Sequence, residues 1–178
     1  MHPEAGGMTL TLAERRVIAG WAAECAERVL PLFEARAACD RRPRAAIEGA
    51  RAFALGGKRT AQLRSVAWAA HAAAGEVGDP VATAAARAAA HAAASAYMHA
   101  LSNRHQLNHV LGSALCQAQA RELAAGDDPG IGDDEIRWAV EHAPPAVREV
   151  LRRLPPVSSH GRSRLAALRH QLDRGLRS

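Results

Sequence analysis

Histidine is the residue in this chain best suited to chemistry, and the chain carries nine of them. His105 and His109 stand four apart, which on a helix places two imidazoles on one face at the spacing of two corners of a zinc site. A metal-assisted hydrolase of this type also needs a glutamate directly after the first histidine to act as base. Gln106 occupies that position, and no acidic residue lies between the pair. His71, His91 and His99 fall within alanine-rich helical patterns and can approach one another in space. Single histidines in such helices ordinarily serve as hydrogen-bonded structural groups. No metal and no other cofactor is expected on this reading, and a histidine-based metalloprotein is kept as a lesser alternative.

Other reactive constellations fail on spacing. Asp127, Asp128, Asp133, Asp134 and Glu135 lack the alternating oxygen ligands and terminal glutamate of a calcium-binding loop. They read as a solvated loop, with Asp133 capping the helix that follows. Ser65, Ser95, Ser102 and Ser113 lie inside helical patterns, away from any strand-turn-helix elbow that would expose a nucleophile. Gly56-Gly57-Lys58-Arg59-Thr60 lacks the spacing of a phosphate-cradling loop, although its basic residues at a helix start can attract an anion weakly. No catalytic residue is assigned, and a non-enzymatic protein is expected.

The charge balance turns attention to surfaces. The formal net charge is +5 and Lys58 is the single lysine, so the basic character is almost entirely arginine. Arginines cluster at Arg41, Arg42 and Arg44, at Arg152 and Arg153, and along the C-terminal segment at Arg162, Arg164, Arg169, Arg174 and Arg177. Such clusters can neutralise phosphates, which makes a basic nucleic-acid-binding protein the principal alternative. Aromatics for base stacking amount to only 3% of residues, and no helix-turn-helix pattern stands out. Nucleic acid is therefore the weaker partner, and Arg41, Arg42 and Arg44 are the candidate protein-binding residues.

The elements that must position these groups are all helical. A length of 178 residues suits one domain. The segments 65–74 and 85–94 are near repeats, each an alanine run around one histidine. Alanine has the best helix propensity and lets neighbouring helices approach closely. Thr11 and Glu14 form a capping box for a first helix, and Pro31 interrupts it. Further helices are expected over 43–55, ended by Gly56-Gly57, and from Thr60 to Glu76. Gly78-Asp79-Pro80 then starts a helix reaching about Leu101, with a break at Ser102-Asn103 before another over 105–124. Helices over 133–143, 146–154 and 163–176 complete the chain, the last with Leu165, Leu168, Leu172 and Leu176 on one stripe.

No segment alternates like a strand, so the expected class is all-α. It is a single-domain multi-helix bundle or helical array with alanine-rich, close-packed central helices. Residues 1–8 are a flexible N-terminal lead and 9–178 one helical domain, of which 163–178 is a basic terminal helix. Trp21, Phe33, Phe53, Trp68, Tyr97 and Trp138 are expected to supply most of the buried area. The leucine stripe of the last helix can pack on its own core or support a homo-oligomer. Cys25, Cys39 and Cys116 form no CxxC pair and suit a reducing compartment. Met1 to Gly7 offers no apolar leader core, and no stretch has the hydrophobicity of a membrane span. A cytoplasmic protein is expected.

The run Arg15 to Glu34, followed by Arg42 to Arg51, resembles a family of small helical bacterial proteins described as immunity proteins of polymorphic toxin systems. His105-x-x-x-His109-Val-Leu-Gly112-Ser-Ala, and Trp138 followed by Pro144-Pro145-x-Val-Arg148, are similar to the same pattern. The resemblance covers about 12–155 and leaves out the terminal arginine helix. It implies an all-α, non-enzymatic protein whose partner is a cognate toxin. Since nucleic-acid mimics are acidic, a basic member should cover an acidic or apolar toxin surface or act away from the toxin's active site.

Overall fold

The computed structural model describes residues 10–98, 104–158 and 161–178. The expected lead over 1–8, His99 and the break at Ser102-Asn103 lie outside the described residues. Within them the chain forms nine α-helices and no strand: α1 (Leu12–Glu27), α2 (Leu30–Glu34), α3 (Arg42–Ala54), α4 (Ala61–Glu76), α5 (Pro80–Ala94), α6 (Arg104–Ala124), α7 (Pro129–Glu141), α8 (Pro145–Arg153) and α9 (Arg164–Arg177).

Local chemistry sets most of these boundaries. Thr11 Oγ1 accepts from Glu14 N at 3.1 Å while Glu14 Oε2 accepts from Thr11 N at 2.8 Å, closing the capping box of α1. Gly56, at φ +113°, ends α3: Gly57 N donates to Ala52 O and Gly56 N to Phe53 O, the paired bonds of a Schellman motif. Arg16 Nη2 then donates to the Gly56 and Gly57 carbonyls, fastening this turn to α1. Asp79 accepts from Ala82 N, and Pro80 occupies the first turn of α5. That helix ends earlier than its composition suggests. Ser95–Tyr97 tighten into a 3₁₀ turn and Met98 is extended, so α5 and α6 are separate helices.

One boundary corrects the sequence reading. Asp128, not Asp133, caps α7, by accepting from Gly130 N at 2.9 Å ahead of Pro129. Gly130 and Gly132 disguise this start, because glycine is a poor helix former. At Gly132 a Cβ would stand 1.9 Å from Glu122 Oε2 and displace that carboxylate. The glycine lets the Glu122 carboxylate reach Arg164 of α9, at 2.8 Å, beside the Arg164–Asp133 pair.

Helix α5 is the spine. Nine of its alanines are buried, and it packs against α1, α2, α3, α4 and α6. Methyl side chains on nearly every face allow that many neighbours at close range. Two buried clusters result. One joins α1 through α5 and one side of α6, with Phe33, Ile47 and Phe53 as its larger members. The other joins α1 to α6, α7, α8 and α9 around Trp21, Leu111, Ile136 and Leu151. Helix α1 serves both, offering Ala19, Ala22, Ala23 and Ala26 to the first and Ile18, Trp21 and Cys25 to the second. Leu168, Leu172 and Leu176 are buried in the second cluster, while Leu165 is exposed.

Polar bonds pin these layers. Trp21 Nε1 donates to Ala139 O at 3.1 Å, joining α1 to α7. The Ser113 hydroxyl lies 2.7 Å from Ala22 O and 3.0 Å from Ala88 O, between α1 and α5. Glu135 is buried and receives a two-pronged bond from Arg28, at 3.1 and 3.0 Å, together with Gln117 Nε2 at 2.5 Å. Arg28 also lies 4.0 Å over the Trp138 ring, whose other neighbour is the stacked His142.

One expected core residue is not in the core. Trp68 is 68% exposed on α4, because the buried side of that helix is made by Leu63, Ala70, Ala73 and Ala74. Tyr97 and Trp138 are half-buried, whereas Trp21, Phe33 and Phe53 are fully enclosed.

Candidate interaction surface

The histidines do gather in part. His91 of α5 lies half-buried against Gly112 of α6, with His71 of α4, His109 of α6, Arg87 and Arg169 as its charged or titratable neighbours. Burial, reinforced by these neighbours, pushes the His91 imidazole down to about 4, so it is neutral at physiological pH. His105 enters as a backbone position in α6. Among the described residues no three His, Cys, Asp or Glu side chains are grouped to hold a metal. Cys25 and Cys116 are buried, and burial raises both thiols, Cys116 to about 12, which keeps them protonated and unreactive. Cys39 is exposed.

The arginine candidates divide by their partners. Arg42 bonds Asp40 with two nitrogens, at 2.9 and 2.7 Å, and Glu76 at 2.7 Å, tying the start of α3 to the end of α4. Arg44 holds Glu34 with two bonds of 2.8 Å, tying α3 to α2. Arg41 is exposed, and no carboxylate among the described residues pairs with it. It lines an open groove of about 710 Å³ together with Cys39, Arg42, Gln62, Ser65 and Ala69. The terminal arginines are also partly committed inside the fold: Arg164 to Glu122 and Asp133, Arg177 to Asp173, Arg153 to Glu14.

The outer side of α4 borders that groove. Arg64, Trp68 and His71 follow one another at intervals of four and three on its exposed face, with the Trp68 and His71 rings edge to face at 6.3 Å. Below them, Arg59 and Arg64 stand over the Tyr97 ring at 5.7 and 4.8 Å. The Tyr97 hydroxyl donates to Thr60 O, which fixes the ring at the start of α4. Among the described residues no carboxylate lies within ion-pair distance of Arg59 or Arg64.

Sequence reasoning assigned Trp68 and Tyr97 to the buried area and passed over Arg64. A signal was nevertheless present. Residues 49–121 contain only two acidic side chains, Glu76 and Asp79, out of 18 in the chain, and Asp79 caps a helix while Glu76 is paired with Arg42. Residues 49–121 thus carry a basic excess, and the other 16 acids lie before and after them.

These features define the class structurally, as an all-helical array with a buried alanine spine and an exposed, basic and aromatic helix face. Residues 8–146 match the model described as Imm-5 like putative immunity protein, and the chain belongs to that family. The match takes in α1 to α7 and stops at the start of α8. Neither the curated proteins nor the solved structures contain a significant match to the chain. No helix of the described residues is long and apolar enough to cross a membrane.

Proposed function

We propose that this protein protects its cell by binding a cognate toxin stoichiometrically, without turnover, and that the outer face of α4 with the Arg41 groove is the contact surface. The observation that carries this reading is Trp68, a large apolar ring displayed to solvent on the same exposed helix face as Arg64, which has no carboxylate partner among the described residues, on a chain whose family is one of immunity proteins. Tryptophan, tyrosine and arginine dominate the energetics of protein interfaces, because each combines a large buried area with a polar handle. The family motif residues fit a structural duty beside it. Trp21, Arg28, Trp138 and Arg148 all brace α7, with Arg148 donating to Val140 O at 2.6 Å.

The test is capture of the partner from native lysate, followed by expression of that partner alone and with this protein. The partner alone should arrest growth, co-expression should restore it, and Trp68→Ala with Arg41→Glu should abolish the rescue. A captured protein without toxicity, or full rescue by the double variant, contradicts the reading.

A further inference from the structure

We propose that the cleft formed by Arg59, Arg64 and Tyr97 receives a carboxylate of an acidic protein surface, while Trp68, one turn along α4, seats in an apolar depression beside that carboxylate. The proposal rests on the toxin-binding reading and names the chemistry of the partner. The cleft encloses about 390 Å³ and is lined by Arg59, Thr60, Ala61, Arg64 and Tyr97. Its two guanidinium groups approach the same ring, at 5.7 and 4.8 Å, and neither has a carboxylate partner among the described residues. Arg42, Arg44 and Arg164, by contrast, are each answered by a carboxylate from within the fold.

Two like charges held on one ring repel each other, and that repulsion is relieved when an anion enters between them. A carboxylate suits the planar fork of arginine, which can present two parallel donors to two oxygens. The tyrosine face contributes by keeping both forks oriented, so less side-chain entropy is lost on binding.

The face favours a protein over a polynucleotide. Nucleic-acid affinity grows with the number of phosphates neutralised, and α4 itself carries a single arginine, Arg64. The Tyr97 ring is covered by guanidinium groups and is not open for base stacking. The exposed apolar positions around Trp68, Ala61 and Ala72, call instead for a partner with its own apolar ground.

The test uses the full chain and a random copolymer of glutamate and tyrosine as the acidic polypeptide, at physiological ionic strength. Trp21 is buried and Trp138 lies under Arg28, so the tryptophan emission that responds should be that of Trp68 and should vanish in Trp68→Phe. The copolymer should shift that emission to the blue. The pair Arg59→Glu and Arg64→Glu should raise the midpoint roughly tenfold or more with an unchanged melting temperature. Arg59→Gln with Arg64→Gln should give a smaller loss in the same direction, and it decides the matter if the reversals disturb folding.

Absence of a Trp68 shift, equal binding by the glutamine pair, or a short DNA duplex binding as tightly as the copolymer would each overturn the assignment. So would a shift that follows the protein's own concentration without any probe, which would mark a second copy as the occupant. If the copolymer fails while the wild-type protein still rescues growth from its captured partner, the carboxylate cleft falls and toxin binding stands. If rescue itself fails, the underlying reading falls.

Discussion

Gly112 of α6 lies directly against the imidazole of His91 of α5: a Cβ at Gly112 would stand 2.6 Å from both Cγ and Nδ1 of that ring. A turn about the Cβ–Cγ bond leaves Cγ in place, so only a change at χ1 of His91 or a shift of the helices makes room, and the two helices approach this closely because Gly112 has no side chain.

Gly112→Ala should therefore cost about 1–3 kcal/mol through overpacking, despite alanine's better helix propensity. Removing the ring with His91→Ala should relieve the clash. A double-mutant cycle by urea unfolding should then return an interaction of at least about 1 kcal/mol in favour of the double variant. Additive single effects would show that the contact is loose.

The same histidine gives the stability a pH dependence. Its proton is bound less readily in the folded protein, where the value is about 4, than in the unfolded chain near the ordinary 6.5. Between those limits the unfolded chain binds more protons, so stability falls as pH drops from about 6.5 to 4 and the histidine contributes no slope above that window. The groups facing it, His71, Arg87, His109 and Arg169, are all basic, and none offsets the loss. His91→Gln should flatten the denaturation midpoint over this window. The carboxylates held low by hydrogen bonding, such as Glu14 and Asp40, add their own loss as pH falls past their ordinary values of 4.5 and 3.8.

Glu135 supplies a second test of the core. Burial raises its carboxyl, but hydrogen bonds from Arg28 and Gln117 and the charge of Arg121 outweigh that and hold it below the ordinary carboxylate range. Arg28→Ala removes the two-pronged partner and uncovers Trp138, leaving a buried carboxylate under-compensated. A loss of about 2–4 kcal/mol is expected in chemical denaturation at neutral pH. Because a depressed carboxyl contributes stability only above its folded value, the difference between variant and wild type should shrink in acid.

Thr11→Ala should cost about 1 kcal/mol by opening the capping box of α1, with no effect on partner binding. Thermal unfolding measures the first effect and partner affinity the second. A much larger loss would mean that α1 depends on its cap more than on its two buried faces.

On the surface, Arg41→Glu is expected to weaken partner binding without changing the melting temperature, since its guanidinium has no carboxylate to lose. Arg44→Glu should instead lower stability by about 1 kcal/mol, because it places a carboxylate against Glu34 where two bonds of 2.8 Å had been. Parallel thermal melts and affinity measurements separate the two roles.

Helix class and most helix ends could be read from the chain alone, since caps and stops are local. Thr11 with Glu14, Gly56-Gly57 and Asp79-Pro80 each satisfy backbone groups a few residues away. The family, too, was legible in the motif around Trp21 and Arg28. Asp128-Pro129 was obscured because two glycines, of which Gly132 lies against Glu122, weaken the helical pattern after it. Which way Trp68 points was decided by tertiary structure. Alanine on every side of α4 gives no amphipathic stripe, so only the packing of α3 and α5 chooses the buried face. Long-range pairs were equally out of reach: Arg28 meets Glu135 across 107 residues, and Arg59 and Arg64 converge on a tyrosine beyond the next helix. Sequence periodicity reports what lies within a turn or two along one helix, whereas a binding face is made by side chains that only the crossing of several helices brings together.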